Sequence, residues 1–245
     1  LGRIPGDWDI TTSAHPEEVK QVFGHTIDTG LQHGTVTVMR DHIGYEITTY
    51  RIDGEYEDGR HPKEVVFTAE LREDLRRRDF TINAMAYSHE TGIVDIFGGA
   101  EDLAARRIRC VGDAGERFTA DALRILRAVR FSAQPGFSIE KKTWEALWEL
   151  APSLVHVSKE RVQVELTKTL LSDRPEFIWK TEAAGLAPYI SKTFPEVFAA
   201  WKKQKSCAKQ SLEEKVCSKD VPAADKDALK TETVVQQGHM FVKHE

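Results

Sequence analysis

The hydrophobic pattern of this chain changes once, after Ile96-Phe97-Gly98-Gly99, and that change limits the folds open to it. Before it, short β-branched and apolar runs surround one helical segment: Asp9–Thr12, a helix over 16–23, then runs over 34–39, 44–51 and 65–67. A period of two buries one face of a strand, and a period near 3.6 buries one stripe of a helix, so residues 1–99 are predicted to form an α+β domain. From Ala100 to about Ile190 the spacing is that of successive amphipathic helices, interrupted near Gly112, at Pro135-Gly136, at Pro152 and over Asp173–Pro175. Gly and Pro end helices at such points, and an all-helical domain over 100–200 is predicted. Beyond about Lys202, polar and charged residues dominate as far as Thr233, so 201–245 read as a polar linker or part of a further body or tail region.

Two runs, TVTVMR and YEITTYRI, are separated by Asp41-His42-Ile43-Gly44. A short connection carrying Gly predicts an antiparallel hairpin. The stretch between Thr12 and Thr37 is expected to be flexible outside its helix.

With 245 residues, 40% of them hydrophobic, the chain can bury a core in each of two domains. No run approaches the roughly 18 apolar residues that cross a bilayer, and no signal peptide is recognisable, so no membrane role and a cytoplasmic location are expected. Cys110, Cys207 and Cys217 are far apart with no C-x-x-C pair, which argues against a zinc site or a disulfide framework. The net charge of −5 does not advertise bulk nucleic-acid binding, but arginines cluster at 76–78, at 106, 107 and 109, and at 124, 127 and 130. Such clusters bind phosphates or are simply solvated helix faces.

The stretch GDWDITT carries Asp7 and Asp9 two residues apart. On a strand both would point to one face, with Trp8 turned to pack on the other. Two adjacent carboxylates repel unless a cation sits between them. Mg²⁺ suits the pair, because it takes oxygen ligands and is held by one or two carboxylates plus substrate phosphates, which suggests phosphoryl or nucleotidyl transfer. Ordinary capping or turn chemistry is the alternative. Glu46, inside the apolar run YEITTYRI, is a candidate third carboxylate if its strand lies near the first, and a solvent-facing Glu otherwise.

In RRDFTINAMAY, Arg78 and Asp79 precede a predicted helix that contains Asn83. Cation, carboxylate and amide then gather at one end, for a triphosphate and ribose or for a cap and an ion pair. In DALRILRAVRF, Asp121, Arg124 and Arg127 recur every three residues on one flank of a predicted helix, while Leu126 and Val129 mark its apolar side. A carboxylate beside a guanidinium offers an acceptor next to a donor. That edge matches the amino group and adjacent ring nitrogen of cytosine and adenine and mismatches uracil and guanine. A surface ion pair of little energetic weight is the competing reading.

GDWDITT, RRDFTINAMAY, DIFGGAEDLAARRIRCVGD and DALRILRAVRF, in this order over about residues 1–190, resemble the bacterial class II nucleotidyltransferases. These are the CCA-adding tRNA nucleotidyltransferases and the related bacterial poly(A) polymerases. The resemblance implies a nucleotidyltransferase head domain with an antiparallel-containing sheet, followed by an all-helical neck and body. It implies Asp7 and Asp9 as Mg²⁺ ligands and, with Glu46, as the catalytic carboxylates. Arg78, Asp79, Asn83, Asp121, Arg124, Arg127 and Arg130 are implied as nucleotide-binding, with Asp121 and Arg124 on the incoming base and Arg127 on the triphosphate. CTP and ATP are the implied substrates and the tRNA 3′ end the implied acceptor, extended by CMP, CMP and AMP without a template. Poly(A) synthesis is the nearest alternative, and a non-catalytic RNA-binding fragment is the alternative from another class.

The resemblance also implies a hinge over 95–113, where a plain connector is the simpler reading. SKERVQVELTK, residues 158–168, resembles another motif of the family and is expected to support the base-selecting helix; Ser158 is a candidate cap, although Arg161 stands where a capping box has an acid. The family carries a Gly-Gly-x-Val-Arg-Asp element just before its G-D-x-D. This chain begins after that element, so residues 1–245 are expected to be inactive on their own even where the parent is an enzyme.

Overall fold

The computed structural model describes residues 8–54, 65–200 and 203. The 201–245 region predicted as a linker therefore lies, but for one residue, outside the described residues.

The first half is built on a four-stranded sheet of order β1-β4-β3-β2, formed by β1 (Ile10–Thr12), β2 (Thr26–Gly30), β3 (Thr35–Arg40) and β4 (Ile43–Thr49). β3 and β4 pair antiparallel as predicted, whereas β1 runs parallel to β4 with Ile10 opposite Ile47. Alternation along TVTVMR separates the two faces of the sheet. Val36, Val38 and Ile47 pack against Val19 of helix α1 (Pro16–Val22) to make a small core. The opposite face carries Thr11, Thr35, Thr37, Glu46 and Thr48, tied together by hydroxyl contacts such as Thr35 Oγ1 to Thr48 Oγ1 at 3.0 Å and Thr29 Oγ1 to Thr37 Oγ1 at 2.8 Å. A sheet face lined by hydroxyls and a carboxylate is wet, and it is the face on which a polar ligand can sit.

The hairpin is tighter than its sequence suggests. Arg40 pairs with Ile43, so only Asp41 and His42 turn, both with positive φ (51° and 65°), while Ile43 and Gly44 belong to β4. Two residues in left-handed conformation match the twist of the strands, and Asp and His tolerate that region better than most side chains. β2, in the stretch expected to be flexible, forms an edge strand against β3. Its TIDTG sequence gives little periodic signal because its central residues are exposed.

A second pair, β5 (Arg51–Asp53) and β6 (Val65–Phe67), leads to helix α2 (Leu71–Arg76). The helix predicted inside RRDFTINAMAY does not form. Thr81–Asn83 make one 3₁₀ turn, followed by a hairpin of β7 (Met85–Ser88) and β8 (Gly92–Asp95). The backbone before that turn is committed elsewhere: Thr81 N–H donates to Arg109 O at 2.9 Å, and Val111 N–H donates to Asp79 O at 3.0 Å. Phe80, fully buried between them, anchors this crossing in the core of the second half.

That half contains α3 (Gly99–Ala104), β9 (Arg107–Ile108), α4 (Ala114–Ala120), α5 (Leu123–Ala133), β10 (Ser138–Ile139), α6 (Lys141–Glu149), α7 (Lys159–Leu170), α8 (Trp179–Ala183) and α9 (Ala187–Ile190). Helices break where Gly112, Pro135-Gly136, Pro152 and Asp173–Pro175 predicted. The short parallel pair of β9 and β10 interrupts an otherwise helical region, because Ser138 and Glu140 N–H donate to Arg106 and Ile108 carbonyls. α5 runs through the centre with Ile125, Leu126, Ala128 and Val129 buried, against α7 and the 3₁₀ turn Pro175–Ile178. Burying four such side chains contributes on the order of 1.5–3 kcal/mol for each large one, which fixes the helix that carries the arginines. Among the described residues no helix is long and apolar enough to cross a membrane.

Candidate functional site

The hydroxyl face of the sheet opens on a cavity of about 630 Å³, within the range of small-molecule sites. One position before the Ile10–Ile47 register pair stand Asp9 and Glu46, on neighbouring strands, and both line this cavity. Neither forms an ion pair with another described residue. Two carboxylates side by side without a counter-charge are the donor set that a hard divalent cation requires. Among the described residues no cluster of three or more metal-ligating side chains occurs, and Asp7, the predicted partner of Asp9, lies outside them. Trp8 does not pack on the reverse face as expected: it is 64% exposed. β1 is an edge strand, and α1 covers the reverse face over β3 and β4 instead.

Across the cavity the charge reverses. Arg77 and Arg78, at the end of α2, both bond the buried carboxylate of Asp74. Asp79 is buried and saturated: Oδ1 accepts from Phe80 N–H at 2.8 Å and Asn83 Nδ2 at 3.1 Å, and Oδ2 accepts from Arg127 Nε at 2.7 Å. Asp79 therefore organises Asn83 and Arg127 from beneath. Behind it, Thr81 Oγ1 donates to Asp102 at 2.6 Å, and Asp102 also receives Arg107 and Arg109. Burial opposes ionisation of Asp102, yet the hydroxyl and the two guanidiniums outweigh it and hold its pKa below the usual carboxylate range.

The elbow between α4 and α5 supplies the remaining wall. Asp121 does not sit on the helix as predicted: it ends α4 in extended conformation (φ −145°). Its Oδ1 caps Leu123 N–H at 3.0 Å, and its Oδ2 pairs with Arg161 Nη2 of α7 at 3.0 Å. Arg124, one turn on, is aimed by backbone carbonyls, Nη2 reaching Arg77 O at 3.0 Å and Nη1 reaching Arg117 O at 3.3 Å. Arg77 closes α2, and carbonyls at the C-terminal end of a helix carry partial negative charge, which suits a guanidinium. Asp121 and Arg124 are thus held by separate partners and both line the cavity.

Of the sequence-predicted residues, Asp9, Glu46, Arg78, Asp79, Asn83, Asp121, Arg124 and Arg127 meet in this one cavity. Arg130 does not. It is 7% exposed and bonds Glu165 Oε2 of α7 at 2.5 Å and Gln134 Oε1 at 3.0 Å, because it stands on the buried side of α5 among Leu126 and Val129. Sequence reasoning named Arg77 only within the 76–78 cluster and gave no site role to Arg51, Phe131 or Arg161; all four also line the cavity. Arg161 carried one signal, a cation at the third position after Ser158 where a capping box has an acid; Ser158 stands at the N-cap of α7 but its side chain makes no capping hydrogen bond there, contrary to expectation. Cys110 is buried and its thiol is pushed up to about 12, chiefly by burial, so it is no nucleophile.

Similarity to known proteins agrees with this geometry. The family described as Poly A polymerase head domain matches residues 1–109, and the one described as Probable RNA and SrmB- binding site of polymerase A matches 136–197. A CCA-adding enzyme of Leuconostoc mesenteroides is 54% identical over 174 residues, which are 71% of this chain and 43% of that protein. The crystal structure of Bacillus stearothermophilus CCA-adding enzyme in complex with CTP superposes with a TM-score of 0.71 at 43% identity, covering 77% of this chain and 46% of that one. Thermotoga maritima CCA-adding enzyme complexed with tRNA_CCA gives a TM-score of 0.62 at 25% identity, over 77% of this chain and 44% of that one. The chain thus spans less than half the length of these relatives. With the head-domain match, the identity to CCA-adding enzymes and the shared fold, the chain belongs to the family of CCA-adding enzymes and bacterial poly(A) polymerases.

Proposed function

We propose that the protein containing this chain adds CMP, CMP and AMP to the 3′ end of tRNA, using CTP and ATP and releasing pyrophosphate. The observation that carries this reading is the cavity's division of labour: unpaired carboxylates on the sheet face, arginines opposite, and an Asp–Arg edge at the elbow. In each cycle the tRNA 3′ oxygen forms a bond to the α-phosphorus, the bond from that phosphorus to the pyrophosphate oxygen breaks, and the 3′ hydroxyl proton passes to solvent or a carboxylate. Asp9, Glu46 and Asp7 would hold Mg²⁺, which would supply positive charge where the transferred phosphate builds up negative charge. Arg78 and Arg127 bind the triphosphate, and Asn83 reaches the ribose. Asp121 accepts from the exocyclic amino group and Arg124 donates to the adjacent ring nitrogen, which admits cytosine and adenine and rejects uracil and guanine. A tRNA substrate is consistent with the expected cytoplasmic location.

The names of the similar proteins, a complex with CTP among them, support this reading. Because the same edge accepts adenine, poly(A) synthesis is the second reading. The test follows each labelled nucleotide onto tRNA lacking its last three residues, using the protein at its full cellular length beside Asp9→Ala and Glu46→Ala. Ordered CMP, CMP, AMP addition lost in both variants is expected. A long AMP tract would favour poly(A) synthesis, and tRNA binding without incorporation would leave an RNA-binding role.

A further inference from the structure

Asp74 lies outside every recognised motif and outside the cavity, yet both oxygens of its carboxylate are engaged by the arginine wall. Its side chain is 0% exposed. Oδ1 accepts from Arg77 Nε at 3.0 Å, Arg77 Nη2 at 2.8 Å and Arg51 N–H at 3.3 Å, and Oδ2 accepts from Arg78 Nη2 at 3.5 Å. Arg77 and Arg78 sit three and four residues on, where the chain leaves the C-terminal end of α2. Both line the cavity opposite Asp9 and Glu46. The carbonyl of Arg77 in turn receives Arg124, so the same short segment aims the base-edge arginine as well.

An arginine side chain has much rotamer freedom to lose when it is fixed against a ligand. A buried carboxylate that fixes two of them in advance removes that cost from binding. We propose that Asp74 is a positioning residue for the triphosphate: it pre-aims Arg77 and Arg78 so that they meet the phosphates without rearranging. This rests on the nucleotide reading of the cavity.

The sign of the effect separates positioning from bulk electrostatics. Asp74 is itself negative, so removing its charge leaves the wall more positive, and a purely Coulombic wall would then bind phosphate more tightly. Pre-aiming predicts weaker binding.

The experiment measures equilibrium binding of inorganic tripolyphosphate and, separately, of cytidine, to the protein at its full cellular length and to its Asp74→Asn variant. Expected is a loss of about tenfold in tripolyphosphate affinity, with cytidine unchanged within about twofold. In an Arg77→Gln, Arg78→Gln background the further Asp74→Asn change should add nothing, because the residue acts only through those two. Unchanged or tighter tripolyphosphate binding, parallel loss of cytidine, or an undiminished effect in the arginine-free background would each overturn the proposal. If thermal unfolding finds Asp74→Asn unfolded, Asp74→Glu keeps the charge and displaces it by one methylene. Selective loss of tripolyphosphate binding is then expected, and equal loss of both ligands or none refutes it. An unsubstituted full-length protein that binds neither CTP nor tripolyphosphate would instead refute the nucleotide reading itself.

Discussion

Arg130 belongs to the arginine series of DALRILRAVRF, but its place in the structure makes it a stability residue, and Glu165→Gln tests this. The Arg130 and Glu165 side chains are 8% and 5% exposed and meet at 2.5 Å. Removing one charge of a buried pair costs about 3–5 kcal/mol, because the other charge stays buried without its partner. Arg130 keeps Gln134 at 3.0 Å and lies 3.9 Å from the centre of the Phe131 ring, which places the loss near the low end, about 3 kcal/mol. For a chain of this size each kcal/mol lowers Tm by about 2–4 °C, so a fall of roughly 6–12 °C is expected. Thermal unfolding by circular dichroism reads it. CTP affinity, measured below the transition, should hold within about threefold. The double variant Arg130→Met, Glu165→Leu should recover to within about 1 kcal/mol of the native chain, since apolar side chains of similar volume replace such a pair at little cost. A loss below about 1 kcal/mol in Glu165→Gln, set against the range for buried pairs, would refute the reasoning. So would a collapse of CTP binding in the double variant at unchanged stability.

Two further perturbations test other parts of the frame. Gly99→Ala places a methyl 2.2 Å from the Thr81 carbonyl and 2.9 Å from Met85 Cγ, so the turn that presents Asn83 must shift; a destabilisation of about 1–3 kcal/mol in urea unfolding is expected. Lys180, bonded to Ser132 Oγ and Phe137 O, has its ammonium brought down to about 8 by burial, from 10.5. Between those values the unfolded chain binds more protons, so stability should rise with pH across that window, by roughly 1–2 kcal/mol after allowance for solvent screening, and Lys180→Met should abolish the rise.

Much of this molecule is legible in its sequence wherever one local pattern dominates. TVTVMR reads as a strand because alternation buries Val36 and Val38, and α5 reads as a helix because Leu126 and Val129 return at its period. RRDFTINAMAY misleads because local propensity is overridden. Its backbone is spent on pairing with 109–111, a stretch too distant in the chain for any local window of sequence to contain. Arg124, Arg127 and Arg130 look equivalent at three-residue spacing. Yet three residues advance a helix by less than a full turn, so the series drifts round the axis until Arg130 faces α7 and is claimed by Glu165.

The sequence by itself determined the β3–β4 hairpin, the central helix α5, the change from sheet to helices near residue 99, and the chemical kinds of group that the cavity could draw on. Carboxylates at Asp9 and Glu46, arginines at 78, 124 and 127, and an amide at Asn83 are fixed by residue type alone. The tertiary structure decided which of them share a cavity and which neighbour holds each one. Those assignments rest on the parallel register of β1 on β4, on α7 supplying Arg161 to Asp121, and on buried Asp74 and Asp79 gathering cations from neighbouring segments. The physical reason is that a charged side chain takes its role from the field around it, and that field is made by residues distant in the chain and near only after folding.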